Sequence, residues 1–386
     1  MITANVFHVR QLSRHKFNSN LIIEILCGTI TLAAASCILR TTAPGTVSAQ
    51  SKSLSSKYKP KNIWNLVWLS TGPPMLVAQA DGFVLGSTDD GVTWHRLDSG
   101  NEFGGESIRG IESDLSGGVI ARTNSGYFER SSSDGLWRRL LPNLPFKTML
   151  WFVPGNRAHM YARRTDNFLK PGDNDALLAT TDGGQSWTEV QMPGGQVPFS
   201  LAVAPQDHNV LYASTTDLPR PIRVWRSLDA ARTWELIDTV KWTLLNACDF
   251  IFDPRDINTV FNVVRGVGIE RTGDSLRKTV DGGTTWRPVE LKSLVFAPIL
   301  LPTRPPTLIT GAYYNTSNYS SLAMLASKDG GEHWTRIGKG LPEDEYIKVI
   351  VKDPSRLNVL FAGTQTRGIY RSTDGGATWV RSSHKP

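Results

Sequence analysis

Cysteine is scarce in this sequence, with three in 386 residues. Cys27 and Cys37 fall in an apolar N-terminal segment, so Cys248 stands alone in the rest of the chain. No internal disulfide can staple that part, which must rest on burial. Cys248 itself reads as a small core residue. Also missing are C-x-x-C, H-E-x-x-H, Ser-His-Asp and Gly-rich phosphate-loop patterns. With them go the usual sequence signatures of redox, metalloprotease, triad and nucleotide chemistry. No cofactor and no metal site is expected. Net charge is lacking too, once it is located. The chain carries +7, but Arg10, Arg14, Lys16 and Arg40 against Glu24 place +3 in residues 1–49. Lys52, Lys57, Lys59 and Lys61 place +4 in residues 50–61, which leaves residues 62–386 neutral. This distribution argues against nucleic acid as a partner.

The N-terminal 49 residues read as an export signal or a membrane anchor. A polar, basic start precedes the apolar run 21–39, broken by Glu24, and then T-T-A-P-G-T-V-S-A. Val47 and Ala49 suit the −3 and −1 positions of a cleavage site. The run is also about long enough to span a bilayer, and Ala34-Ala35-Ser36-Cys37 is a poor lipobox. Residues 50–61 are a Ser/Lys linker with nothing to bury. Membrane contact is expected only through the N-terminal segment.

From residue 62 onward one motif recurs. Its last copy is Ser372-Thr373-Asp374-Gly375-Gly376-Ala377-Thr378-Trp379, set between a short apolar strand and a second strand. Full copies centre on Asp89, Asp182 and Asp281. The Asp329 copy carries His333 in place of Thr, the Asp229 copy has Ala231 in place of Gly, and the Asp134 copy is shortened by two residues. The motif tryptophans Trp94, Trp137, Trp187, Trp234, Trp286, Trp334 and Trp379 are separated by 43, 50, 47, 52, 48 and 45 residues. Seven copies at this period predict an all-β, seven-bladed propeller with four-stranded blades. The blades are placed at 62–100, 105–143, 147–193, 197–240, 245–291, 294–340 and 345–386. With this phasing no N-terminal strand completes the last blade, so closure rests on packing between blades one and seven.

The motif resembles the Asp-box (BNR) repeat, S-x-D-x-G-x-T-W. That repeat occurs in sialidases, sortilin-type receptor ectodomains, xyloglucanases and the photosystem II assembly-factor family. The resemblance covers residues 62–386 and is specific for fold but not for chemistry. Lettering the strands A to D outward from the channel, the A–B and C–D turns share one face of the ring. The B–C and D–A loops share the other, where the related enzymes keep their active sites. Asp89, Asp134, Asp182, Asp229, Asp281, Asp329 and Asp374 therefore read as structural. One carboxylate per turn is too few for Ca²⁺.

Candidate binding residues come from the B–C/D–A face, because elaborated loops on a rigid scaffold usually carry function. Blade three offers Arg163, Arg164 and Asp166; blade four, Arg220 and Arg223; blade five, Arg265, Glu270 and Arg271. Blade six offers Tyr313, Tyr314 and Tyr319. The D–A connections add Trp242 and Glu343, with Phe103, Phe146 and Phe296. Sialidases carry an F/Y-R-I-P segment before the first blade, and none occurs here. Xyloglucanases of this repeat type set a cleft between two propellers, and the sequence has residues for one. The reading that results is an exported, monomeric, non-catalytic propeller binding a protein or glycan ligand. Its alternative is a glycoside hydrolase, xyloglucanase- or sialidase-like. Two carboxyl groups facing one groove, about 5 Å or about 6.5–9.5 Å apart, would favour the enzyme.

Overall fold

The computed structural model describes residues 58–382, apart from 71–72, 100, 114–117, 132–133, 142–143, 145–147, 166–174, 217–220, 241–246, 266–275, 290, 292 and 317–318. The N-terminal segment 1–49, with its signal and anchor readings, lies outside the described residues. Seven four-stranded sheets follow one another along the chain, and in each the strands pair antiparallel in sequence order. Blade one comprises Ile63–Leu69, Met75–Ala80, Phe83–Ser87 and His95–Arg96. Blade seven comprises Ile347–Lys352, Leu360–Thr364, Ile369–Ser372 and Val380–Arg381, all its own. The chain is a seven-bladed propeller. Only a 3₁₀ turn at Pro193–Gly195 interrupts the strands among the described residues.

Where a second strand is covered on both sheet faces, it reads as an unbroken small or apolar run rather than an alternation. Leu211–Thr215 and Leu360–Thr364 are buried at every position. The core is accordingly a set of layers between blades. Trp94 joins Val359, Phe361 and Ile369 of blade seven, and Trp379 joins Ile309 and Met324 of blade six. Trp234 packs on Tyr161 and Leu177 of blade three, and Trp187 on Ile120 and Tyr127 of blade two. Every motif tryptophan thus leans on the preceding blade. Trp94 and Trp379 are buried, whereas Trp187, Trp234, Trp286 and Trp334 are half-buried.

The repeated turn is held by its own carboxylate. Asp281 accepts from Thr279 Oγ1 at 2.7 Å, Thr285 N at 2.9 Å and Thr285 Oγ1 at 2.6 Å. Gly283 N donates to Thr279 Oγ1 at 2.8 Å, with Gly283 at φ 94°. A left-handed residue is needed there, which glycine supplies without steric cost. Gly282 N donates to Asn258 O at 2.9 Å, tying the C–D turn to the A–B turn on the same face.

Closure uses more than side-chain packing. Asp90 accepts from both Arg356 Nη1 at 3.0 Å and Arg356 Nη2 at 2.6 Å, and Arg371 approaches it at 2.9 Å. Residues 58–61, expected in the linker, are seated at the seam. Tyr58 is partly buried there. Its hydroxyl donates to Asp81 at 2.6 Å, and Gly368 N donates to Lys61 O at 3.1 Å. The apolar ring of Tyr58 gives this end of a Ser/Lys stretch something to bury.

Candidate functional site

The turn face offers no free carboxylate among its described motifs. Hydrogen bonds from Thr285, through hydroxyl and then backbone, push the Asp281 carboxyl down to about 2. Thr233 does the same to Asp229, also to about 2. These groups are ionised acceptors committed to their own turns.

The B–C/D–A face is less uniform, and the predicted residues divide there. Arg163 is not presented to a ligand. It lies 2% exposed in the second strand of blade three, Asn156–Arg164, with Nη2 donating to Asp175 Oδ2 at 3.1 Å. Asp175 also accepts from Thr165 Oγ1 at 2.7 Å. A buried guanidinium requires such a partner, so the pair clamps the base of the loop. Arg164 and Arg223 are half-buried at strand positions. Arg265 ends the second strand of blade five, Asp256–Arg265. Tyr313, Tyr314 and Tyr319 stand in strands rather than in a loop. Thr307–Thr316 and Tyr319–Ser327 pair as far as Thr316 with Tyr319, so blade six carries a long hairpin. The Tyr, Thr and Ser residues of this stretch suit strands, and the ladder simply continues through them. Asp166, Arg220, Trp242, Glu270, Arg271 and Phe146 lie outside the described residues. Phe103 is core, edge-on to Phe128 and Trp137.

A cavity of about 510 Å³ opens between blades six and seven, lined by Phe296, Met324, Ile337, Leu341, Glu343 and Glu345 among others. Its two carboxylates do not form a hydrolytic pair. Glu343 is exposed and paired with Arg336 at 3.0 Å. Glu345 is buried and accepts from Thr366 N and from Thr366 Oγ1 at 2.8 Å.

One carboxyl on the inner strands behaves differently. Glu112 lies in the first strand of blade two, Gly110–Ser113, two residues below the B–C/D–A rim. It keeps partial solvent access, yet burial pushes its pKa up, with Arg122 pulling the other way. Among the described residues it is the one carboxyl shifted upward. Arg122 faces Gly110 across the ladder, and a Cβ at Gly110 would stand 3.5 Å from Arg122 Nη2. Tyr127, pushed up to about 12 by burial, accepts from Leu150 N at 3.0 Å and sits beside Arg122. A carboxyl held toward its neutral form can donate a proton. The signal in the sequence was slight: one acid in an inner strand reading Gly-Ile-Glu-Ser. Among the described residues no group of three or more His, Cys, Asp or Glu could hold a metal ion.

No family model matches the chain. It is 28% identical over 279 residues to the xyloglucanase Xgh74A of Acetivibrio thermocellus, covering 59% of this chain and 31% of that protein. It is 27% identical over 253 residues to a xyloglucanase of Paenibacillus sp, covering 54% of this chain and 24% of that protein. The chain thus spans about a third or less of the length of these relatives. Among solved structures, the GH74 xyloglucanase of Xanthomonas campestris superposes with TM-score 0.54 at 20% identity, covering 71% of this chain and 45% of that one. YCF48 from Cyanidioschyzon merolae covers 83% of this chain and 97% of that one, at TM-score 0.49 and 15% identity.

These relatives overturn the expectation of a non-catalytic binding propeller, because both are named as hydrolases and match over half of this chain. That expectation rested on missing motifs. Glycosidic hydrolysis needs only two well-placed carboxyl groups, which can come from distant strands and loops. The absence of a contiguous motif therefore excludes little.

Proposed function

We propose that this chain is a glycoside hydrolase of the xyloglucanase kind, exported through its N-terminal segment and acting on xyloglucan along the B–C/D–A face. The observation that carries the reading is the sequence relation to xyloglucanases over 279 residues. Glu112 is the proton donor to the leaving glycosidic oxygen in this reading. Its upward shift, caused by burial, favours the protonated form, while Arg122 steadies the carboxylate once the proton has left. The second carboxylate comes from the long-loop wall, where Asp166 and Glu270 are the candidates. The experiment is to incubate the full chain with xyloglucan and follow new reducing ends. Wild type should release them, and Glu112→Gln should lower kcat by roughly 10²–10⁴, the usual worth of a general acid. Asp166→Asn and Glu270→Gln identify the second group. No release from xyloglucan by the wild type would sink the assignment.

A further inference from the structure

The inner strands of blades one and seven carry matching irregularities. In Ile63–Leu69, Ile63 pairs with Ala80 and Asn65 with Gln79, so Trp64 is the extra residue of a bulge. In Ile347–Lys352, Ile347 pairs with Thr364 and Val349 with Gly363, so Lys348 is the extra residue of another. Both bulges lie at the B–C/D–A end of their strands, beside the turns at 81–82 and 365–368. Bulges re-aim a side chain and are common beside functional sites. Here the two re-aimed side chains meet, with Lys348 Nζ 5.2 Å from the centroid of the Trp64 ring.

Trp64 is 48% exposed. The other exposed large hydrophobics among the described residues are Leu136, Leu228, Leu236, Val280, Leu357 and Val380, in turns of the opposite face or in outer strands. Trp64 alone of them is aromatic and on an inner strand. The first strand of blade one packs against those of blades seven and two, so its exposed residue opens on the channel mouth. The residues on either side of it are anchored. Ile63 is buried against Gly363, where a Cβ would come within 2.5 Å of Ile63 Cγ2. Asn65 Nδ2 donates to Ile111 O of blade two at 2.8 Å.

We infer that Trp64 and Lys348 form a saccharide-binding subsite at the channel mouth, taking one pyranose ring of a neutral glucan. This rests on the glycan-directed reading of the B–C/D–A face. The axial C–H groups of a pyranose present a weakly positive face to the negative face of an indole. The Lys348 ammonium, set beside the ring, can add a charged donor to a ring hydroxyl. A stable protein partner would bury roughly 800 Å² of surface, far more than one exposed ring supplies. An isolated exposed ring rimmed by a cation suits a single sugar instead.

The test measures retardation of the full chain in native gels containing soluble xyloglucan, together with reducing-end release. Trp64→Ala should weaken retention about tenfold or more, a loss of about 1.4 kcal/mol. Trp64→Phe should keep most of it, and Lys348→Met should lose a smaller part. Because Trp64 is exposed, an unchanged melting temperature shows that the fold survives. Equal retention of wild type and Trp64→Ala, or no retention of wild type, overturns the subsite. Trp64-dependent capture of a peptide without glucan retention also overturns it. Trp64-dependent retention without hydrolysis supports the subsite and removes the hydrolase reading. Hydrolysis with retention and KM unchanged in Trp64→Ala removes the subsite alone.

Discussion

The two faces of this propeller use carboxylates in opposite ways. On the turn face, Asp281 and Asp229 are held low by hydroxyl and backbone donors of their own turns. On the channel-mouth face, Glu112 is pushed up by burial, Glu345 is tied to Thr366, and Glu343 stands exposed with Arg336. Repetition accounts for the first set, since each copy solves the same turn. No repeat accounts for the second. Function in this molecule is to be sought where the blades stop resembling one another, and Glu112, Trp64 and Lys348 are three such places.

The largest test of that contrast is catalytic. Glu112→Gln should reduce xyloglucan hydrolysis by roughly 10²–10⁴, whereas Asp281→Asn should leave kcat unchanged. Comparable losses from both would erase the distinction between the faces. Next in size is the interblade tryptophan. Trp379, 3% exposed in the layer between blades six and seven, should cost roughly 3–5 kcal/mol as Trp379→Ala in denaturant unfolding. Trp286, only half-buried, should cost less on truncation.

The regular half of this contrast was legible in the sequence. Trp spacing, Asp and Gly at fixed offsets, and buried second strands specify blade number, phasing and turn face together, because each copy repeats the same local chemistry. The site was not legible in the same way. Arg163 looked like a loop cation and is a buried clamp, because its partner Asp175 lies across a connection whose path the sequence does not state. Tyr313 and Tyr319 looked like loop residues and extend a hairpin. Glu112 and Trp64 acquire their character from neighbouring blades and from a one-residue bulge, which are long-range facts. Absence of motif was the weakest guide of all, since a carboxyl pair leaves no contiguous signature.

Smaller effects sharpen the account of the turn itself. A methyl at Gly283 would meet Ile237 Cδ1 at 2.7 Å and sit at φ 94°, so Gly283→Ala should destabilise by about 1–3 kcal/mol. Acid should act on the turns as well. Asp281 falls from 3.8 to about 2 in the folded chain, so its contribution is complete above about pH 4. It fades as pH drops through about 2, where the native carboxylate is finally protonated. Melting temperature should fall across that window, and Asp281→Asn should lower the neutral-pH value while flattening the acid slope. An unchanged slope would mean that the turn carboxylates do not govern acid unfolding.

The smallest effect concerns the copy that lost its glycine. Ala231 occupies the position of Gly283 at φ 68°, and its amide donates to Ser227 Oγ at 2.9 Å as the glycines do. A left-handed alanine costs roughly 1–2 kcal/mol, which Ala231→Gly would relieve. Against this stand the buried methyl, about 0.8 kcal/mol, and the greater freedom of an unfolded glycine, roughly 0.4–1 kcal/mol. The opposing amounts nearly cancel, so Ala231→Gly should change stability by less than about 1 kcal/mol in either direction. A gain well beyond that would show that blade four holds its turn under strain. A loss of several kcal/mol would show that the Ala231 methyl is essential to the layer it shares with Val153, Tyr161 and Leu177. Near-neutrality, set beside the penalty for Gly283→Ala, would establish that the surrounding hydrogen bonds define this turn and that glycine chiefly eases it.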